Sequence, residues 1–494
     1  MKVLLIQPSL ITKYPIQVTE PLGIAYLSAV LKKTKHNVKI LDCIALGQNN
    51  IGKLSDGRIR TGIDDKELIK KIGEFNPDLI GISCNFTIYK DDALHTAKII
   101  KENFKNTKIV LGGVHPTMTH KELIKNNSID FIIRGEAETT IVDLVNSLEK
   151  KKSLKDVLGL TYKEGKKVLI NEDRPLIKNI NELPLPDRDA IDMKFYMANS
   201  KINFYYALNF PAASIISSRG CPYNCIFCST KTMWRRHWRP KNAVNTFKEI
   251  KELYEKYGAR EIVFYDDSFI VDKKRVKELC ELIIKSKIKI KLNAISGLTV
   301  WTLDKELLTI MKKAGFYRLG FPIETGSENT LRFIRKPVDL KKTKEIISIA
   351  NKLGFWTTAN FIIGFPYETK KDIEKTINYA CNCGIDFAVF FVAQPYAGAE
   401  LYDIYKKEGL LKKDVHDAQL TSSFYPSKRF DSKQLNDFAT KARKKFSKIR
   451  IKNLLNPIFV YNNILPKFKD PKNIAFVIKK GSSYLKSILS MKHE

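Results

Sequence analysis

Cys221-Pro-Tyr-Asn-Cys225-Ile-Phe-Cys228 places three cysteines on one short segment, spaced Cys-x3-Cys-x2-Cys. Three thiolates so close together suit three irons of a [4Fe–4S] cluster, where an ordinary cluster takes four. The fourth iron keeps a free coordination position, as in a catalytic metal site and unlike a closed structural one. Two other readings stand beside this one: a zinc site completed by His237, and chance clustering. Zinc ligands usually pair as Cys-x2-Cys with a second pair further on, and no such pair follows.

The segment Ala213–Gly220 runs into the cysteines as a strand. Phe227 stands just before the last cysteine, where an aromatic ring shields a cluster from water. Cys221, Cys225, Phe227 and Cys228 resemble the signature Cys-x3-Cys-x-aromatic-Cys of the radical S-adenosylmethionine (SAM) superfamily. The resemblance implies that the open iron binds SAM through its amino and carboxylate groups. Electron transfer then splits SAM into methionine and a 5′-deoxyadenosyl radical. It makes Cys221, Cys225 and Cys228 both metal ligands and catalytic residues, and Phe227 part of the cofactor site. It also implies a low-potential electron donor such as ferredoxin or flavodoxin.

Outward from the cysteines, toward the C-terminus, apolar runs alternate with amphipathic helical patterns. Strands are predicted at 214–218, 261–265, 289–294, 318–323, 357–363 and 387–392, with a helix in each gap. That alternation predicts a partial (βα)6 barrel of the TIM type over 211–403, whose strand ends at the carboxyl side read as catalytic. Those ends are the cysteines, Asp266-Asp267-Ser268-Phe269, Glu324-Thr325-Gly326-Ser327 and Gly364-Phe365-Pro366. Carboxylates there can accept hydrogen bonds from the ammonium and ribose diol of SAM. The competing reading is that these acids cap the helices that follow. The segments YDDSF, IETGS and FIIGFPYET resemble the second-, fourth- and fifth-strand SAM motifs of the superfamily, which assigns Asp266, Glu324 and Ser327 to SAM. Beyond the cysteines, Thr232–Pro240 (TMWRRHWRP) either grips an anionic or aromatic ligand or packs its loop on the barrel.

Toward the N-terminus, residues 1–148 alternate in the same way, with strands predicted at 3–7, 38–42, 79–83, 109–111 and 131–133. This predicts a doubly wound, Rossmann-like parallel sheet with ligands at its carboxyl edge. There is no Gly-x-Gly-x-x-Gly, so a dinucleotide is not favoured. Ser83 and Thr87 follow the third strand, and Gly112 and Gly113 the fourth. Paired glycines let a bulky ligand approach the backbone. Together with Pro21–Lys32 and Gly135–Glu138, these four residues resemble the cobalamin-binding domain of B12-dependent radical SAM enzymes, and the resemblance makes them cobalamin contacts. The sequence Asp-x-His-x-x-Gly, which brings a histidine to cobalt in other B12 proteins, is missing from 1–150, and His115 reads as a loop residue. Residues 149–210 read as a small hairpin followed by an extended connector, Asn181–Asp192.

The chain has 494 residues and a net charge of +32, with 85 Lys and Arg against 53 Asp and Glu. Such a balance suits anionic partners, or simply a solvated lysine surface. Eight cysteines without a regular framework argue against a secreted disulfide scaffold. None lies after Cys383, which excludes an auxiliary C-terminal cluster. Only Cys43 and Cys84 lie within 1–150, which disfavours a tRNA methylthiotransferase with its three further cysteines. Residues 404–494 read as a basic helical tail; 441–494 hold fourteen Lys or Arg against Asp470 and Glu494. KARKKFSKIRIKNLL and NIAFVIKKGSSYLKSIL are basic and partly apolar, the pattern of helices that lie on anionic membranes. The first residues are too short an apolar run for a signal peptide. The reading is therefore cytoplasmic, with the tail at the inner face of the membrane or capping the barrel.

The combined expectation is a cobalamin-dependent radical SAM enzyme modifying an unactivated carbon, by C-methylation or ring formation. The resemblance is nearest to the porphyrin-, hopanoid- and isoprenoid-lipid-modifying subgroup, which makes a lipid the leading substrate class, ahead of a phosphorylated metabolite or a peptide. Nucleic acid is not favoured as a partner. A cobalamin- or nucleic-acid-binding protein with a structural cluster is the alternative from another class.

Overall fold

The computed structural model describes residues 1–494 apart from 13–17, 48–50, 55, 205, 412–422, 470–473 and 475–494. The second tail segment, NIAFVIKKGSSYLKSIL, therefore falls almost wholly outside the described residues. The chain forms two compact units, Met1–Tyr205 and Tyr206–Glu494.

In the first unit, five strands run parallel: β1 (Lys2–Gln7), β2 (Asn37–Asp42), β3 (Leu79–Ser83), β4 (Lys108–Gly112) and β5 (Phe131–Ile133); all but the edge strand β2 carry continuous apolar runs because both faces are covered. Their spatial order is β2-β1-β3-β4-β5. The order reverses between β1 and β3, and a doubly wound sheet binds its ligands at such a switch point, beyond the carboxyl ends. Two apolar layers flank the sheet: Ile6, Ile80 and Leu111 lie on one side, and Val3, Leu5 and Val110 on the other.

The hairpin read between the two α/β regions joins this sheet. Its strands β6 (Leu160–Glu164) and β7 (Lys167–Ile170) continue it antiparallel from β5. The connector then folds back as a helix, Met193–Asn203, N-capped by Asp192. Tyr196 on that helix donates to buried Asp42 at 2.6 Å, at the end of β2. A small three-stranded antiparallel sheet (Leu10–Thr12, Ile59–Thr61, Ile51–Lys53) completes the unit.

In the second unit, six parallel strands follow in sequence order: β8 (Ala212–Ile215), β9 (Glu261–Phe264), β10 (Lys291–Ala294), β11 (Phe316–Glu324), β12 (Trp356–Ile363) and β13 (Phe387–Val392). The helices between them start at side-chain caps on Asn242, Asp272, Asp304, Asp339 and Thr369. Phenylalanines fill the interior; Phe264 stacks on Phe316 at 5.6 Å and Phe361 on Phe390 at 5.5 Å. The long helix Ser432–Leu454 packs on β13 and covers that edge of the open sheet.

Candidate active site

The cysteine loop leaves the carboxyl end of β8 and is held by its backbone. Ile226 N–H donates to Ile334 O at 3.3 Å, and Ile226 O accepts from Leu401 N–H at 2.8 Å. Gly220 enters the loop at φ +85°, where a Cβ would stand 2.2 Å from His237 O; only glycine fits so close a crossing. The following segment doubles back, Arg219 pairing with Arg239 in a short antiparallel bridge. Trp238 Nε1 donates to Ser268 O at 2.7 Å, and Arg239 stacks over Trp234. That half of TMWRRHWRP thus packs the loop, while Arg235, Arg236 and His237 are exposed.

Cys225 is buried, and Cys221 and Cys228 are partly so. Burial pushes the Cys225 thiol up to about 11, opposed by nearby Lys336 and reinforced by Cys228. All three thiols are free. Among the described residues, no three His, Cys, Asp or Glu side chains converge closely enough for a single metal ion. His237 is exposed and its Nδ1 bonds to Arg235 O at 2.9 Å, so the zinc reading finds no donor set. A cluster asks less convergence, since each thiolate takes its own iron, and three thiols on one pinned loop fit that demand.

The strand ends separate the acids in a way the sequence did not reveal. Asp266 is buried within protein: it accepts from Ser217 N at 3.1 Å, from Ser217 Oγ at 2.8 Å and from Ser218 Oγ, with Arg275 close by. Its carboxylate is committed to holding the end of β8, not exposed for a ligand. Asp267, the next residue, is exposed and accepts from Gly220 N at 3.2 Å. Although the side chain reaches solvent, the protein crowded around it pushes its carboxyl up to about 6 by desolvation, with neighbouring Asp266 adding to the rise. Neither acid caps the following helix; Asp272 does, accepting from Lys274 N and Arg275 N.

Ser327 is likewise enclosed. Its hydroxyl donates to Asp372 at 2.7 Å and caps the short helix Glu328–Phe333. Glu324 differs, because it ends β11 at φ +70°, a left-handed conformation rare for a side-chain-bearing residue. Lys336 Nζ donates to Glu324 Oε1 at 3.1 Å and lies 5.9 Å from the Phe227 ring centre. Burial works against the Lys336 charge, but Glu324, Cys225 and Cys221 outweigh it and hold its pKa above the ordinary value. Sequence reasoning missed Lys336, since a lysine in IRKP looks like any solvated lysine. Phe227 packs 6.0 Å from Phe365, which follows β12. There Glu368 accepts from Gly364 N at 2.7 Å and Phe365 N at 3.2 Å.

In the first unit, Ser83 and Gly112 end β3 and β4 side by side, and Thr87 and Gly113 follow them in the loops beyond. A Cβ on Gly113 (φ +123°) would stand 2.5 Å from Cys84 O, so this glycine lets two loops touch. A Cβ on Gly112 would meet nothing within 4 Å, so that glycine keeps space open. Phe86 and Ile88, flanking Thr87, are exposed. A bare backbone beside exposed apolar side chains fits a large, flat, partly apolar ligand. His115 is not on a loop: it is buried in the first turn of the helix Val114–Leu123. Its Nδ1 bonds Thr87 Oγ1 at 3.2 Å and its Nε2 bonds Thr119 Oγ1 at 3.3 Å. Burial and Lys90 lower its pKa to about 4, so the ring is neutral and orients the Thr87 hydroxyl.

Residues 215–380 match the family model of the Radical SAM superfamily, and residues 10–145 that of the B12 binding domain. The chain is 33% identical over 472 residues to an uncharacterized methyltransferase of Pyrococcus horikoshii, covering 94% of this chain and 96% of that protein. It is 28% identical over 432 residues to the cytidylyl-2-hydroxyethylphosphonate methyltransferase of Streptomyces wedmorensis, covering 81% of this chain and 80% of that protein. Its fold is similar to that of the cobalamin-dependent SAM radical enzyme OxsB, solved with aqua-cobalamin and SAM bound. The TM-score is 0.67 at 18% identity, over 98% of this chain and 72% of that one. Similarity along almost the whole length of a relative, with both domain models matched in order, makes the chain a member of the cobalamin-dependent radical SAM enzyme family, with a [4Fe–4S] cluster, SAM and cobalamin as its cofactors.

Proposed function

We propose that this enzyme is a C-methyltransferase acting on an unactivated carbon of a lipid- or isoprenoid-type substrate. The observation that carries the reading is the meeting of the cysteine loop, Lys336 and the strained carboxylate Glu324 at one barrel mouth. The methyltransferase names of two relatives, each matched over four-fifths or more of its length, favour methylation over ring formation.

Cys221, Cys225 and Cys228 hold the cluster, with Phe227 shielding it. Glu324, buried against Lys336, and the exposed Asp267 are the carboxylates that meet the ribose diol and ammonium of SAM. Asp266 and Ser327 position them from behind, Asp266 through the β8 end and Ser327 through the helix after β11. Lys336 holds the buried Glu324 carboxylate in place through their 3.1 Å contact. Ser83, Thr87, Gly112 and Gly113 receive cobalamin, with His115 orienting Thr87. Bound at these residues, the cluster, SAM and cobalamin would supply one-electron cleavage of SAM and a methyl group for the substrate carbon. A one-electron donor of the ferredoxin or flavodoxin type provides the electron.

A second substrate reading, a phosphorylated metabolite, is favoured by exposed Arg235, Arg236 and His237 beside the cysteine loop. The relative named for a cytidylyl phosphonate points the same way. Both are tested with anaerobically reconstituted enzyme, methyl-deuterated SAM, and separate lipid and polar extracts. A labelled methyl in a lipid supports the leading reading, and one in a polar phosphorylated product the second. Turnover of SAM to 5′-deoxyadenosine with a new unlabelled product in either extract overturns methylation. The Cys225→Ala protein, which should stay folded and lose SAM cleavage, is the control.

A further inference from the structure

Residues 441–469 contain nine Lys or Arg and no Asp or Glu. Three of the nine are used inside the protein. Arg450 and Lys467 both pair with buried Asp386, and Arg443 donates to Phe390 O at 3.3 Å. The other six, Lys441, Lys444, Lys445, Lys448, Lys452 and Lys469, are exposed, Lys445 donating to the Asn378 side chain at 2.7 Å on the surface. The first five recur at i, i+3, i+4, i+7 and i+11 of the helix Ser432–Leu454, so they line one face as a stripe.

That stripe runs into an apolar patch. Leu455 is 82% exposed and Ile458 74%, and Leu454, Tyr461 and Leu465 are exposed beside them. They occupy the corner where the long helix turns into the helix Pro457–Asn463. A contiguous apolar patch rimmed by cations marks an interaction site, because single exposed apolar residues scatter over ordinary surfaces. No helix among the described residues is long and apolar enough to cross a membrane.

We propose that this face, residues 441–465, docks the enzyme on an anionic lipid bilayer. The lysines lie against headgroups, and Leu454, Leu455, Ile458, Tyr461 and Leu465 enter the interfacial region. Charge selects the occupant: six outward lysines without an intervening acid complement a negatively charged sheet of headgroups. Asp386 anchors the segment on its inner side through Arg450 and Lys467, which leaves the outer side free to bind. The proposal stands apart from the substrate reading, since a docked enzyme can act on either substrate class.

The test is flotation of the full-length protein with phosphatidylcholine vesicles, with and without phosphatidylglycerol. The wild type should float only with the anionic vesicles, less so as salt rises. Each lysine reversed in Lys444→Glu/Lys448→Glu should weaken binding about five-fold or more. Leu455→Asp/Ile458→Asp should abolish it, and Lys166→Glu, on an exposed turn of the first unit, should leave it unchanged. The four substituted patch positions are exposed, and circular dichroism checks that the fold persists. Failure of the wild type to float with anionic vesicles at low salt overturns the proposal. So does binding that survives both patch variants, or a dimer that those variants split without any vesicle binding.

Discussion

Replacing Lys336 by Met removes the basic side chain that stands against both Glu324 and the cysteine loop. The two charges stand 3.1 Å apart, with side chains only 10% and 8% exposed. At an effective dielectric of about 20, that separation corresponds to about 5 kcal/mol of attraction. Desolvation cancels much of it in the intact pair, but removing one partner strands the other charge and costs about 3–5 kcal/mol. Lys336→Met should therefore destabilise the second unit strongly. Glu324→Gln/Lys336→Met, which removes both charges, should recover much of the loss, with a coupling of at least about 2 kcal/mol. All four tryptophans, Trp234, Trp238, Trp301 and Trp356, lie in the second unit, so fluorescence-monitored denaturation of the full chain reports that unit alone. The double variant should still assemble a cluster and fail to cleave SAM. Additivity of the two single variants within about 0.5 kcal/mol would refute the claim that Lys336 exists to hold Glu324.

Two further outcomes follow from the same geometry. Gly112→Ala should leave the first unit as stable as wild type but lower cobalamin retention, measured by absorbance after desalting. Gly113→Ala, which drives a Cβ to 2.5 Å from Cys84 O, should destabilise the unit itself by 2 kcal/mol or so. Glu368, pushed up to about 8 by burial against its backbone and Thr330 bonds, binds its proton more tightly folded than unfolded. Its contribution is complete below about pH 4.5 and lost as pH rises to about 8, a fall of about 4–5 kcal/mol. Glu368→Gln should flatten that part of the pH–stability curve for the tryptophan transition.

The parallel strands were legible because short, largely apolar runs alternate with amphipathic helices. The short sheet of Leu10–Thr12, Ile51–Lys53 and Ile59–Thr61 was not, because its strands are three residues long, too short to show a period, and one of its two pairings joins segments about fifty residues apart. The helix Val114–Leu123 was hidden by the proline at 116, by a non-helical residue at Thr119 and by the lack of an apolar stripe. At the proposed active site, the cysteine spacing and the strand-end Glu324 are features the sequence displays on its own. The roles of Asp266 and Asp267 could not, because adjacent residues at a strand end point to opposite sides and composition does not say which side is the mouth. Lys336 reaches the site from a loop twelve residues after Glu324, and no periodicity marks such a reach.

The contrast between Glu324 and Ser327 shows how one strand end does two jobs. Ser327 is fully enclosed and satisfied: it caps a helix and ties it to Asp372, the first-turn acid of the helix after β12. Nothing about it is strained. Glu324 sits three residues earlier in a left-handed conformation that costs about 1–3 kcal/mol for a non-glycine residue. The register between β11 and β12 shifts at that point, so the ladder gives way to aim the side chain. Strain persists only where the surroundings impose it, and here Lys336 on one side and the Ser327-capped helix on the other do so. A glycine would relieve the strain and lose the carboxylate; a relaxed glutamate would keep the carboxylate and lose its aim. Retaining the strained glutamate makes physical sense if the direction of that carboxylate, toward the cysteine loop, is what the site requires.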